Sequence, residues 1–143
     1  MFDTTEPTDV ELPAPPVSKP AKRLLDEFGG LHADSYRDYK TSLLSWLQQR
    51  GKVPERGKGY APETVRVTHY KIEHAYRWKW EDTGEYTTEF TPEDADELIQ
   101  VLFTRTDKTD NEIAKYQKAL KRLFAYKTHA EGHDYEWDPE PIT

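Results

Sequence analysis

A chain of 143 residues with 33% charged and 35% hydrophobic side chains supports one small domain around a single core. The absence of cysteine excludes disulfides, thiolate metal sites and cysteine nucleophiles, and no apolar run reaches the roughly 18–20 residues of a membrane span. A formal net charge of −7 argues against attraction of the whole molecule to a polyanion, so any basic segment must be explained on its own.

The first twenty residues hold five prolines and four acids and show no periodicity, so residues 1–33 are expected to be a flexible acidic tail. Within it, residues 22–28 offer at most two helical turns, ended by Gly29 and Gly30. The stretch after Met1 lacks the basic and apolar regions of a signal peptide, which makes the cytoplasm the expected location.

Asp34 or Ser35 is suited to cap a first helix running through Gln49, with an apolar stripe of Tyr36, Tyr39, Leu43, Leu44, Trp46 and Leu47. Gly51 is its natural stop, and residues 51–62, with three glycines and two prolines, form a basic loop carrying Lys52, Arg56 and Lys58. Pro62 opens a second helix to about Trp80, whose inner face is Val65, Thr68, Ile72, Ala75, Tyr76 and Trp80. Residues 82–84 end it, and Thr87–Phe90 is too short to assign as a strand. Thr91 and Pro92, followed by acids, start a third helix that buries Ala95, Leu98, Ile99, Leu102 and Phe103. Thr109 or Asp110 caps a fourth, with Ile113, Tyr116, Leu120, Leu123 and Phe124 inward and Gly132 as terminator. Residues 133–143 leave in an extended, acidic form. The expected class is all-α: four helices in residues 34–132, with flexible ends.

Charge is segregated along this chain. Residues 111–130 carry Lys115, Lys118, Lys121, Arg122 and Lys127 against Glu112 alone, and residues 64–80 carry Arg66, Lys71, Arg77 and Lys79 against Glu73. Residues 81–110 hold ten acids against Arg105 and Lys108. Such placement permits one positive face on a negative molecule, and double-stranded DNA is the partner it suits, because Lys and Arg release counterions from phosphates. Asn111 and Gln117 are available for base edges, and Tyr60, Tyr70 and Trp78 for stacking.

Catalytic chemistry is not offered. His69 and His74, five apart, fit one helical face poorly, while His129 and His133 straddle Gly132 and read as solvated side chains rather than metal ligands. No phosphate-binding glycine loop is present. Expected are no metal, no cofactor, no small-molecule substrate and no membrane partner.

The ordered features resemble a known family. Gly59–Arg66 (GYAPETVR) opens the second helix and Ala75–Trp80 (AYRWKW) closes it; Thr91–Asp94 (TPED) opens the third; Lys118–Tyr126 (KALKRLFAY) lies in the fourth, and Trp137–Pro139 (WDP) follows. Over about residues 35–140 this order is similar to the N-terminal core-binding domain of the tyrosine recombinases, the phage-integrase and Xer-type family. The acidic balance resembles that of proteins from salt-loving archaea. The resemblance implies a four-helix core-binding (SAM-like) bundle whose second and fourth helices approach the major groove. The positions it matches are Thr64, Arg66, Tyr70 and Lys71, then Asn111, Lys115, Lys118 and Arg122. It further implies protomer–protomer contacts in a recombination synapse, with Tyr36, Trp46 and the loop after Gly51 as interface candidates. The family's active site lies in a C-terminal catalytic domain, so this chain by itself is expected to be non-catalytic, residues 133–143 are expected to lead toward that domain, and neither Tyr126 nor Tyr135 is a nucleophile. The competing reading is an acidic helical protein-interaction or regulatory domain that docks through Tyr36, Tyr39 and Trp46 of the first helix.

Overall fold

Helix starts in this protein are written in side-chain chemistry. In the computed structural model, which describes residues 17–142, Ser18, Thr91 and Thr109 each cap a helix through their hydroxyls. At Thr91 the cap is reciprocal: Thr91 Oγ1 accepts from the Asp94 backbone N–H, and the Asp94 carboxylate accepts from that of Thr91. Proline occupies the first turn of three helices. The elements are α1 (Lys19–Phe28), α2 (His32–Arg50), α3 (Pro62–Thr83), α4 (Pro92–Arg105) and α5 (Asp110–His129), with a 3-10 turn at Pro54–Arg56. The described residues are thus all-helical, and none of their helices is long and apolar enough to cross a membrane.

Four of the five helices match the expected ones, and their inner faces fall where the periodicity places them. Val65, Ile72, Ala75, Tyr76 and Trp80 of α3 and Ile113, Leu120 and Leu123 of α5 have no exposed surface. α5 packs against α2, α3 and α4, so it is the element around which the core closes. Two details differ. α2 starts at His32, before Asp34 and Ser35, with no side-chain cap at Leu31; Asp34 sits in its first turn, where its charge complements the helix dipole. Phe103, expected inside, is 45% exposed at the end of α4.

The larger difference is at the ends of the domain. The expected flexible tail, residues 1–33, includes α1, and α1 belongs to the core: Ala21 and Leu25 are fully buried against the bundle. Burying a leucine is worth about 2 kcal/mol, enough to hold so short a helix once Ser18 caps it. Residues 1–16, to which the same expectation applies, lie outside the described residues. Nor do residues 133–142 simply depart. Tyr135, Trp137 and Ile142 pack on the core, with the Tyr135 and Trp137 rings edge-on to Phe124. The Gln117 side chain donates to Glu140 O and accepts from the Ile142 N–H, and the Trp137 indole N–H donates to Asp96.

Residues 84–91 join α3 to α4 without a partner strand. Their carbonyls are taken by side chains: Trp80 Nε1 donates to Thr87 O, Tyr76 Oη and Lys127 Nζ to Thr88 O, and Lys79 Nζ to Glu89 O. This fixes Phe90 in the core and satisfies a backbone that no ladder serves.

Candidate nucleic-acid interface

One glycine sets the geometry of the basic face. A Cβ on Gly59 would stand 1.8 Å from Gln48 O, so only glycine lets the loop press against α2 there. The next residue, Tyr60, donates its backbone N–H to Leu47 O at 2.9 Å. Its ring then lies beneath the Arg122 guanidinium, 4.6 Å from the ring centroid, and Arg122 Nη1 donates to Thr68 Oγ1 at 2.7 Å. Arg122 is therefore held by a stack on Tyr60 and a hydrogen bond to Thr68, which uses one of its five donors.

Asn111, Lys115, Lys118 and Arg122 recur at intervals of four, three and four along α5, which places them in one stripe. Asn111, Lys115 and Lys118 are exposed, and Arg122 is half-buried. Lys118 has no ion-pair partner among the described residues, whereas Lys115 shares Glu112 with Lys71, at 3.5 and 3.3 Å. Thr64, Thr68 and Lys71 form the facing stripe of α3, joined to α5 by the Arg122–Thr68 and Lys71–Glu112 contacts. Lys71 Nζ also stands 4.5 Å from the Tyr116 ring centroid. The hydrogen bond from Lys71, reinforced by its charge and by Lys115, holds the Glu112 carboxyl below the usual carboxylate range.

Arg66 and Tyr70 occupy a separate α3 stripe. Arg66 donates to Glu63 through Nε and Nη2, which lowers the Glu63 pKa and raises that of Arg66. Its guanidinium lies 5.9 Å from the ring of Tyr70, which is 47% exposed. The fold thus brings six of the eight expected positions onto the α3–α5 seam and leaves Arg66 and Tyr70 on a different side of α3.

Several expected groups are occupied elsewhere. Gln117, a candidate base reader, is 5% exposed and spends its amide on Glu140 and Ile142. Tyr60 carries Arg122, and Trp78 is packed against the core, so of the three stacking candidates only Tyr70 stays exposed. Tyr36, proposed as an interface or docking group, is wholly buried among Tyr76, Trp80 and Tyr86. Tyr39 and Trp46 also pack inward, Tyr39 on Tyr76 and both on Tyr126. Tyr36 is core, which corrects its reading as a docking or interface group, while Tyr39 and Trp46 are partly buried against that core. His129 stacks on Trp46 and His133 on Tyr135.

Sequence reasoning placed Thr68 on the inner face and missed it as a partner for Arg122. It also missed the cluster of His74, Arg77 and Lys108 next to Lys71. The i, i+3 pair Glu112–Lys115 was legible; contacts between elements were not.

In comparisons with known proteins, no family model, no curated protein and no solved structure matches this chain.

Proposed function

We propose that this chain is a double-stranded-DNA-binding module of the core-binding type found in site-specific tyrosine recombinases and integrases, acting in the cytoplasm. It clamps the duplex along the seam of α3 and α5. The observation that carries the reading is the α5 stripe: exposed Asn111, Lys115 and Lys118 in line with an Arg122 already oriented by Tyr60 and Thr68, in a protein whose net charge is −7. Preorganised arginine loses less rotamer freedom on meeting a phosphate, and an unpaired lysine breaks no ion pair to do so. Lys115 and Lys71 exchange a shared carboxylate for phosphate oxygens. The resemblance in motif order supports the same assignment.

On this reading the chain positions DNA and performs no strand transfer itself, which falls to a catalytic domain following it. With Tyr36 in the core, the exposed side chains of the loop at residues 52–58 are the surface offered to a neighbouring protomer. The test is fluorescence anisotropy of a labelled duplex at low and high salt. The reading expects an affinity that falls linearly in log salt, with a slope of about −0.9 for each phosphate contacted. Absence of binding at low salt overturns it.

A further inference from the structure

We propose that Lys71, His74, Arg77 and Lys108, gathered about the Tyr116 side chain, form a binding site for a phosphoryl group. The site lies where α3 meets α5 and shares Lys71, and the Tyr70 wall of its cavity, with the positions assigned to DNA.

Tyr116 is the hub. Its hydroxyl is hydrogen-bonded to His74 Nδ1, while Lys71 Nζ and Lys108 Nζ stand 4.5 and 5.7 Å from its ring centroid. Arg77 follows His74 by one helical turn. The carboxylate that pairs with the cluster, Glu112, is divided between Lys71 and Lys115, and Glu27 and Glu81 line a second cavity with Arg77. Neither Arg77 nor Lys108 forms an ion pair among the described residues. Glu73, the other acid near His74, is committed elsewhere: its carboxylate accepts from the Ser18 N–H and faces Lys40. Beside the cluster is a cavity of about 290 Å³ lined by Ser18, Pro20, Tyr70, Glu73, His74 and Arg77. Two lysines over the Tyr116 ring and an arginine beside the His74 imidazole, next to open volume, offer the several donors that a phosphate's oxygens require.

The imidazole reports on occupancy. Burial, then the charges of Arg77, Lys108 and Lys71, push the His74 pKa below its ordinary value. An anion in the site removes the electrostatic part of that penalty, so binding takes up a proton from solvent. The proton also changes the donor pattern. In the imidazolium both ring nitrogens carry hydrogen, Nδ1–H donates to the tyrosine oxygen, and the phenol O–H is freed to donate to the phosphate. The groups facing His74 are Lys71, Glu73 and Arg77 from α3, Lys108 from the α4–α5 turn, Glu112 and Tyr116 from α5, and Ser18 from the start of α1.

The phosphoryl group is either that of a DNA backbone, which rests on the reading above, or that of a free phosphorylated solute. The experiment is an NMR pH titration of the five histidines in the full chain, in chloride, in inorganic phosphate at equal ionic strength, and with a short duplex whose binding is followed in parallel by anisotropy. The His74 midpoint is expected to rise by about one pH unit with at least one phosphate source. The rise is expected to vanish in the Arg77→Gln/Lys108→Gln chain, while the other histidines titrate as before. A rise with inorganic phosphate identifies a free-phosphate site; a rise with duplex alone identifies a backbone contact. If the duplex binds and His74 does not respond to either source, the site is overturned and the DNA reading stands. If phosphate moves His74 and the duplex does not bind, the DNA reading fails and the site stands.

Discussion

Lys40 Nζ stands 2.7 Å from His69 Nδ1, and both side chains are buried, at 0% and 1% exposure. Lys40 donates, so the His69 proton sits on Nε2, which has no partner among the described residues. On its other side Lys40 faces Glu73 Oε1 at 3.6 Å, and the Glu73 carboxylate accepts from the Ser18 N–H at the head of α1. A chain of buried polar groups therefore links α2, α3 and α1.

The first consequence is acid sensitivity. Burial, and secondarily the Lys40 charge, hold the His69 pKa down at about 3. Between about 6.5 and 3 the unfolded chain binds a proton that the fold refuses, so stability falls as pH drops through that window, by on the order of 4 kcal/mol in total. Urea denaturation at a series of pH values checks it. His69→Gln, which keeps an acceptor for Lys40, is expected to flatten much of the slope.

At alkaline pH the sign is the same but the group is different. Burial pulls Lys40 down to about 8 despite the opposing pull of Glu73. From pH 8 upward the fold has shed a proton that the unfolded chain still holds, so stability rises with pH, by roughly 2 kcal/mol toward pH 10. Above that, buried Tyr36 and Tyr76, whose pKa values are raised mainly by burial, resist an ionisation that the unfolded phenols undergo, and stability falls again. Thermal melts are expected to peak at about pH 9 to 10.

Lys40→Met leaves Glu73 buried without its cation and is expected to destabilise by about 3–5 kcal/mol. Lys40→Met/Glu73→Gln is expected to recover most of that loss, because the second change removes the stranded charge. Hydrogen exchange is expected to show loosening of the Ala21 and Leu25 amides in the single variant, since the Ser18 anchor is shared.

Lys118→Glu is expected to weaken duplex binding across sequences and to lower the salt slope by about 1, without changing stability by more than about 0.5 kcal/mol. Arg122→Gln is expected to weaken binding and also to lower stability, because it loses the Tyr60 stack and the Thr68 bond as well as a phosphate contact. Unchanged slopes in both variants exclude the α5 stripe as the contact surface.

The C-terminal segment is held by few points. Gln117→Ala removes both backbone bonds to residues 140 and 142, and Trp137→Ala removes the Asp96 bond and the packing on Phe124. Each is expected to cost about 1–3 kcal/mol and to raise protease cleavage after residue 132, read by mass spectrometry.

The legible part of the fold was that governed by one helix at a time. The caps at Thr91 and Thr109, Pro62 at a helix start and the apolar faces of α3 and α5 all depend on neighbours within four residues. The helical turns of residues 22–28 and their stop at Gly29 were legible, but the place of α1 in the core was not, because Ala21 and Leu25 carry too little periodicity to stand out from the tail. Lys40, Glu73 and Lys127 escaped because hydropathy places charges outside, whereas here each finds its partner on another element. The candidate site divides in the same way. The α5 stripe follows from spacing alone, but Tyr60 beneath Arg122 depends on the close approach of Gly59 to α2.

The link between α3 and α4 protects the molecule from its own extended backbone. An unpaired extended segment invites a second chain to add alongside it, the first step toward sheet-like aggregation. At Thr87, Thr88 and Glu89 the carbonyls such a chain would need are already engaged by Trp80, Tyr76, Lys127 and Lys79, and the Glu89 N–H is turned back onto Thr87 Oγ1. The side chains that pin this link therefore also act as a solubility device, closing a place where a helical protein would otherwise offer an open edge.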